Sequence, residues 1–218
     1  ETVQNNLIAQ LRQALAEGGY AGAIFDFEYI YPYDRESYNQ FLRRVTDILH
    51  ADGYLVMTCL APKISDTQTG TLYEAHDYAA HGQTADYVIL MTYEWGYLYG
   101  PAMAVAPIDQ VRRVLDYAVT RIPADKVLLG MPNYGYDWTL PFVEGSAARV
   151  VSNVEAVDIA ARYGAEIRYD ERSQAPFFNY FDEEGRRHEV WFDDARSIRA
   201  RLRLIAEYGL AGLSYWTI

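Results

Sequence analysis

The sequence predicts an α/β fold built on a parallel sheet. Short apolar runs alternate with stretches of helical periodicity, the order expected when strands are joined by right-handed helical crossovers. The chain has 218 residues, 50% of them hydrophobic, enough for one sizeable core.

Val3, Leu7, Ile8, Leu11 and Leu15 recur at helical spacing and stop at Gly18-Gly19, which predicts an amphipathic helix with a glycine stop. A strand follows over 22–28. Asp34 stands where an N-cap belongs, ahead of the helical set Tyr38, Phe41, Leu42, Val45 and Ile48. The unit recurs as a strand over 54–60, a segment around 73–81, a strand over 87–93, a helix over 107–121 and a strand over 127–132. A helix over 153–163 then leads to three short strands at 166–169, 176–180 and 188–192, the last two flanking a turn at Asp182-Glu-Glu-Gly185. This is expected to be a small α+β insertion covering 139–192. Asp193-Asp194 start a further helix ending near Gly209, and 212–216 form the last strand.

The parallel strands number about five, against about eight in a closed (β/α)8 barrel. Residues 1–19 are helical by pattern and cannot supply the difference. The expectation is a partial (β/α)8 TIM-barrel fold whose opening strands lie upstream of residue 1. An open sheet complete as it stands is the alternative.

Charge narrows the partners. A formal net charge of -11, without a Lys/Arg cluster, speaks against nucleic acid and against long-range attraction to anionic membranes. No apolar run approaches the roughly 20 residues of a spanning helix. The first residues, Glu-Thr-Val-Gln-Asn-Asn, show no signal-peptide pattern. Cys59 is the sole cysteine, lies in an apolar run and reads as a buried structural thiol. His50, His76, His81 and His188 are scattered and read as surface or cap residues, so no metal is expected. No phosphate-binding glycine loop is present and no cofactor is expected.

Asp26 and Glu28 are two apart at the end of a strand, so both leave the same face where barrel enzymes place their sites. Two such carboxylates raise one another's pKa, and one can stay protonated as a general acid. Alone, the pair is more often a cap, an ion-pair partner or a metal ligand. Three further strand ends are aromatic: Met91-Thr-Tyr-Glu-Trp95, Gly130-Met-Pro-Asn-Tyr-Gly-Tyr-Asp-Trp138 and Ser214-Tyr-Trp216. Rings with hydrogen-bonding edges around a carboxylate pair suit a pyranose site. The overall content, 20 Tyr and 4 Trp, is compatible with that use.

On these residues the sequence resembles glycoside hydrolase family 18, whose signature runs Asp-Gly-x-Asp-x-Asp-x-Glu. Ala21-Gly-Ala-Ile-Phe-Asp-Phe-Glu28 keeps the Gly and the last two acids but has Ala21 and Ile24 in place of the first two. Tyr54 to Lys63, Tyr73-Glu-Ala-His-Asp-Tyr78, Met91 to Gly96, Val105 to Ile108, Gly130 to Pro141, Gln174 to Phe178 and Val190-Trp-Phe192 look like its spore germination and cortex-lytic branch. The resemblance runs through essentially the whole chain. It implies a retaining, substrate-assisted glycosidase acting on N-acetylglucosamine linkages of peptidoglycan. Glu28 would protonate the glycosidic oxygen, Asp26 would stabilise the oxazolinium ion, and Tyr93 would hold the attacking acetamide oxygen. Trp216 would floor the distorted sugar, with Met91, Glu94 and Tyr134 as further substrate-binding residues.

The departures carry expectations too. Ile24 removes a hydrogen-bonding partner of Asp26, and absent early strands would remove part of the cleft wall, so the isolated chain is expected to be weak or inactive. A chitinase-like lectin and a chitinase are the competing readings. The resemblance further implies a cell-wall, spore-associated or secreted protein, with room for an upstream wall-binding module.

Overall fold

The computed structural model describes residues 2–217, which group into two compact units. The first holds residues up to Met91, with Leu115–Leu128 and Gly209–Gly212; the second holds Thr92–Val114, Leu129–Tyr208 and the residues from Leu213 onward.

In chain order the elements of the β/α part are α1 (Thr2–Gly18), β1 (Gly22–Phe25), α2 (Arg35–Ala51), β2 (Leu55–Leu60), α3 (Tyr78–Thr84), β3 (Tyr87–Leu90), α4 (Ile108–Ala118), β4 (Val127–Pro132) and, much later, β10 (Gly212–Trp216). Hydrogen bonds order the strands β1-β2-β3-β4-β10, so sheet neighbours are chain neighbours except for the last pair. Pairing is parallel from Gly22 with Leu55 to Phe25 with Thr58, and from Met57 with Tyr87 to Leu60 with Leu90. Gly22 is required by close approach, since a Cβ there would lie 2.2 Å from the Leu55 carbonyl oxygen.

The helical periodicities are buried in part: Val3 and Leu7 of the expected α1 set are exposed. Ile8 and Leu15 of α1 meet Tyr38, Phe41, Leu42, Val45 and Leu49 of α2 over Phe25 and Val56. Some boundaries differ. The first strand stops at Phe25 rather than at residue 28, and the third at Leu90 rather than at residue 93. Asp34 lies in a 3-10 turn, Pro32–Asp34, at φ -93 and ψ -1, and its side chain makes no capping hydrogen bond. A true N-cap is extended, which this turn does not allow.

The second unit carries an antiparallel sheet ordered β6-β5-β9-β8-β7, formed by β5 (Gly135–Leu140), β6 (Arg149–Val151), β7 (Arg168–Asp170), β8 (Ala175–Phe181) and β9 (Arg187–Trp191). Helix α5 (Asn153–Tyr163) covers it with Ala156, Ile159 and Ala160 against Phe178, Tyr180, Val190 and Phe192. Ser152 caps this helix by accepting from the Glu155 N–H at 3.1 Å, and Gly164 ends it at φ +62. The β8–β9 turn uses Gly185 at φ +76. Helix α6 (Ala195–Tyr208) follows, with Arg201 only 1% exposed beside Asp193.

The histidines correct the sequence expectation. His76, His81 and His188 are buried; His50 and His81 each lie in the last turn of a helix, and of these only His50 is exposed, against Asp86. The ring of His81 lies edge-on to Tyr38, with Nδ1 3.1 Å from Thr58 Oγ1, and burial together with the nearby His76 pulls its pKa down to about 3. Unfolding restores a value near 6.5. The unfolded chain therefore binds the extra proton first, so stability is full above about pH 6.5 and falls as pH drops toward 3, by about 1.4 kcal/mol per pH unit. Burial lowers the pKa of His76 as well, which adds in the same direction. In His81→Leu the acid side of the stability-pH curve should flatten by about one proton's slope, read by urea unfolding between about pH 6 and 4. An unchanged slope would contradict a neutral buried ring.

Candidate active site

Past the end of β1 the chain runs Asp26-Phe27-Glu28. Phe27 is the anchor, its ring 6.0 Å from Phe41 and 5.6 Å from Tyr38 on α2, with Phe25 at 5.7 Å from Phe41 on the same side. Asp26 and Glu28 flank it and are both exposed. Partial burial raises the pKa of the Glu28 carboxyl, and the neighbouring Asp26 raises it further, so Glu28 holds a proton closer to neutrality than an ordinary glutamate. Tyr29, next in the chain, takes a left-handed φ of +54, a strained conformation for a tyrosine that recurs where backbone is held for function. Ile24, which stands at a motif-acid position, is 57% exposed.

Beneath this segment, Cys59 is buried and free, as the sequence predicts. Burial and the charges of Asp26 and Glu28 push its pKa up to about 12, so the thiol is unreactive. His76 accepts from the Ala61 N–H at Nδ1 (2.8 Å) and bonds the Phe27 carbonyl through Nε2 (2.9 Å).

A second cluster forms in the other unit. Glu94, at φ +67, receives the hydroxyls of Tyr134 and of Tyr136, the latter at 3.0 and 3.2 Å to its two oxygens. Burial first, and then the carboxylate, push both phenol pKa values well up, so these rings stay protonated donors. Tyr93 packs against Val105, Tyr136, Trp138 and Ala148, and the indole of Trp138 donates to the Gly100 carbonyl at 2.7 Å. Trp216 ends β10, 57% exposed, with its carbonyl accepting from the Asn133 N–H at 2.8 Å. Its peptide bond to Thr217 is cis. Met91 is a buried core residue.

The structure thus joins Asp26 with Glu28, and Glu94 with Tyr134 and Tyr93. Two contributors were not read from the sequence. Tyr136 sits two residues after Tyr134, and strand alternation would have found it had β5 been recognised. His76 finds its partners in other segments, which no local pattern reveals. Among the described residues no group of three or more His, Cys, Asp or Glu is arranged to hold a metal, and no helix is long and apolar enough to cross a membrane.

Acidic and hydroxyl-bearing aromatic residues at the ends of β/α strands are the construction of carbohydrate-active α/β enzymes. Residues 1–218 match the glycosyl hydrolases family 18 throughout, and the chain belongs to that family. It is 53% identical to the cortical fragment-lytic enzyme of Bacillus subtilis (strain 168), over all of this chain and 51% of that protein. Its fold is similar to the crystal structure of the Bacillus cereus spore cortex-lytic enzyme SleL, with a TM-score of 0.97 and 49% identity over the whole chain and 50% of that one. It is also similar to a chitinase from Chromobacterium violaceum ATCC 12472, with a TM-score of 0.93 and 31% identity over the whole chain and 67% of that one. The expected α/β fold of TIM-barrel type is therefore correct. The chain spans about half the length of the curated relatives it matches.

Proposed function

We propose that this chain supplies the later strands of a catalytic barrel that cleaves N-acetylglucosamine linkages in spore-cortex peptidoglycan. The supporting observation is Glu28, its pKa raised by burial and by the neighbouring Asp26, in a chain that is alike, along its whole length, to cortical fragment-lytic enzymes. Other strands would complete the cleft on the side of β1, which sits at the edge of its sheet. The spore is the proposed place of action.

The chemistry is retaining and substrate-assisted. Glu28 delivers its proton to the glycosidic oxygen as the 2-acetamido oxygen attacks C1, so the C1–leaving-group bond breaks while a C1–oxygen bond forms. Asp26 accepts the acetamide N–H and stabilises the oxazolinium charge. Tyr93 orients the acetamide oxygen for intramolecular attack. Glu28, now a carboxylate, takes a proton from the water that opens the ring. Trp216 supports the sugar from below, and Glu94 with Tyr134 binds its hydroxyls.

The test is an assay of the whole protein that carries this chain. Incubated with cortex fragments and with chitin oligomers, it should release N-acetylglucosamine-terminated cortex products by mass, and early NMR spectra should show the retained anomer. Faster turnover of chitin would make it a chitinase. Binding without any product would make it a lectin.

A further inference from the structure

We propose that His76 is a positioning residue for the Asp26–Glu28 pair, its Nε2–H holding the carbonyl of Phe27, the peptide unit between the two acids. This rests on the proposed reaction and adds to it a residue that touches no substrate.

The hydrogen bonds fix the tautomer. The Ala61 N–H can only donate, so Nδ1 at 2.8 Å must present its lone pair. A neutral imidazole then carries its proton on Nε2, and that proton points at the Phe27 oxygen 2.9 Å away. His76 is 1% exposed, and burial disfavours the doubly protonated ring, which would set an N–H against the Ala61 N–H.

The ring is mounted on a rigid frame. Tyr78 donates to the Ala61 carbonyl at 2.6 Å and accepts from the Lys63 N–H at 2.9 Å, closing the exit of β2. Lys63 Nζ in turn donates to the His76 carbonyl at 3.1 Å. Lys63 and Tyr78 are at most 1% exposed. The exit of β1 is thus fastened to the exit of β2 through one imidazole. Phe27 is held twice, by its ring on α2 and by its carbonyl on His76, and both carboxylates hang from the backbone on either side of it. Beyond Phe25 no strand pairing fixes this segment, so the imidazole supplies what the ladder does not. A shift of about 1 Å in such a group can cost about 100-fold in rate.

Two conservative replacements separate positioning from packing. Gln can place an amide N–H near the position of Nε2 and keep the bond to Phe27, whereas Asn can place an oxygen near Nδ1 and keep only the bond to Ala61. In the whole protein, acting on cortex fragments, His76→Asn should lower kcat by about 10- to 100-fold with KM within about threefold, and His76→Gln should stay within about threefold of wild type. Thermal melts of the two variants should drop alike. Equal kcat losses in both, or a loss carried by KM, would overturn the proposal. The tautomer is read without activity, from nitrogen shifts of histidine-labelled wild type near pH 7, and a ring protonated on Nδ1 would also overturn it. A wild type that hydrolyses nothing fails the proposed function and leaves the tautomer test standing. An active wild type with an unaffected Asn variant fails this inference alone.

Discussion

Glu28→Gln, in an active enzyme carrying this chain, should lower hydrolysis of ordinary glycosidic bonds by about 10²- to 10⁴-fold, the range over which a general acid contributes. The change keeps size and hydrogen bonding but removes the proposed proton donor, whose pKa burial and Asp26 raise. Binding should survive. A substrate whose leaving group needs no protonation should recover much of the rate, because the acetamide still attacks and Asp26 still stabilises the cation. Asp26→Asn should show no such recovery, since it weakens the oxazolinium step whatever the leaving group. Rates measured against leaving-group acidity for both variants check the division of labour, and parallel responses would refute it. Unchanged turnover of natural substrate by Glu28→Gln would remove the protein from the acid-catalysed glycosidases.

The largest expected loss of stability comes from Asp193. Its carboxylate lies against Arg201 Nη2 without hydrogen-bond alignment and accepts from Ser197 Oγ at 2.7 Å, while Arg201 Nη1 donates to the Ala106 carbonyl at 3.2 Å. Asp193 and Arg201 are 5% and 1% exposed. Asp193→Ala leaves a guanidinium charge dehydrated beside one carbonyl, which should cost about 3–5 kcal/mol. Removing both charges is different. Asp193→Leu combined with Arg201→Met should recover most of that loss, because desolvation of the pair offsets much of its attraction. Urea unfolding of the three proteins checks this, and a double variant as unstable as the single one would mean that the pair is net stabilising.

What could be read from the sequence follows from locality. Strand β4 at 127–132, helix α5 at 153–163 and strand β10 at 212–216 were expected at the bounds observed, because each has its apolar pattern and its stops within its own residues. The carboxylates Asp26 and Glu28 were legible for the same reason. Strand β5 was not. Gly135, Tyr136, Asp137 and Trp138 are all buried, so no alternation marks the strand. Asp137 is tolerated there only because Tyr180 donates to it at 2.7 Å and His188 Nδ1 lies 2.8 Å away, both from later strands. The partners of buried His76, Ala61 and Phe27, are likewise distant in sequence.

The strand order also sets a timetable for the growing chain. β1, β2 and β3 can pair as each leaves the ribosome, but the outer edge of β4 waits until the whole antiparallel sheet between Pro132 and Gly212 has been made. Closing so long a loop is entropically slow, and until then that edge offers free backbone groups to any passing strand. The intervening hairpins, whose partners are near in sequence, are placed to fold first and shorten the distance that β10 must find.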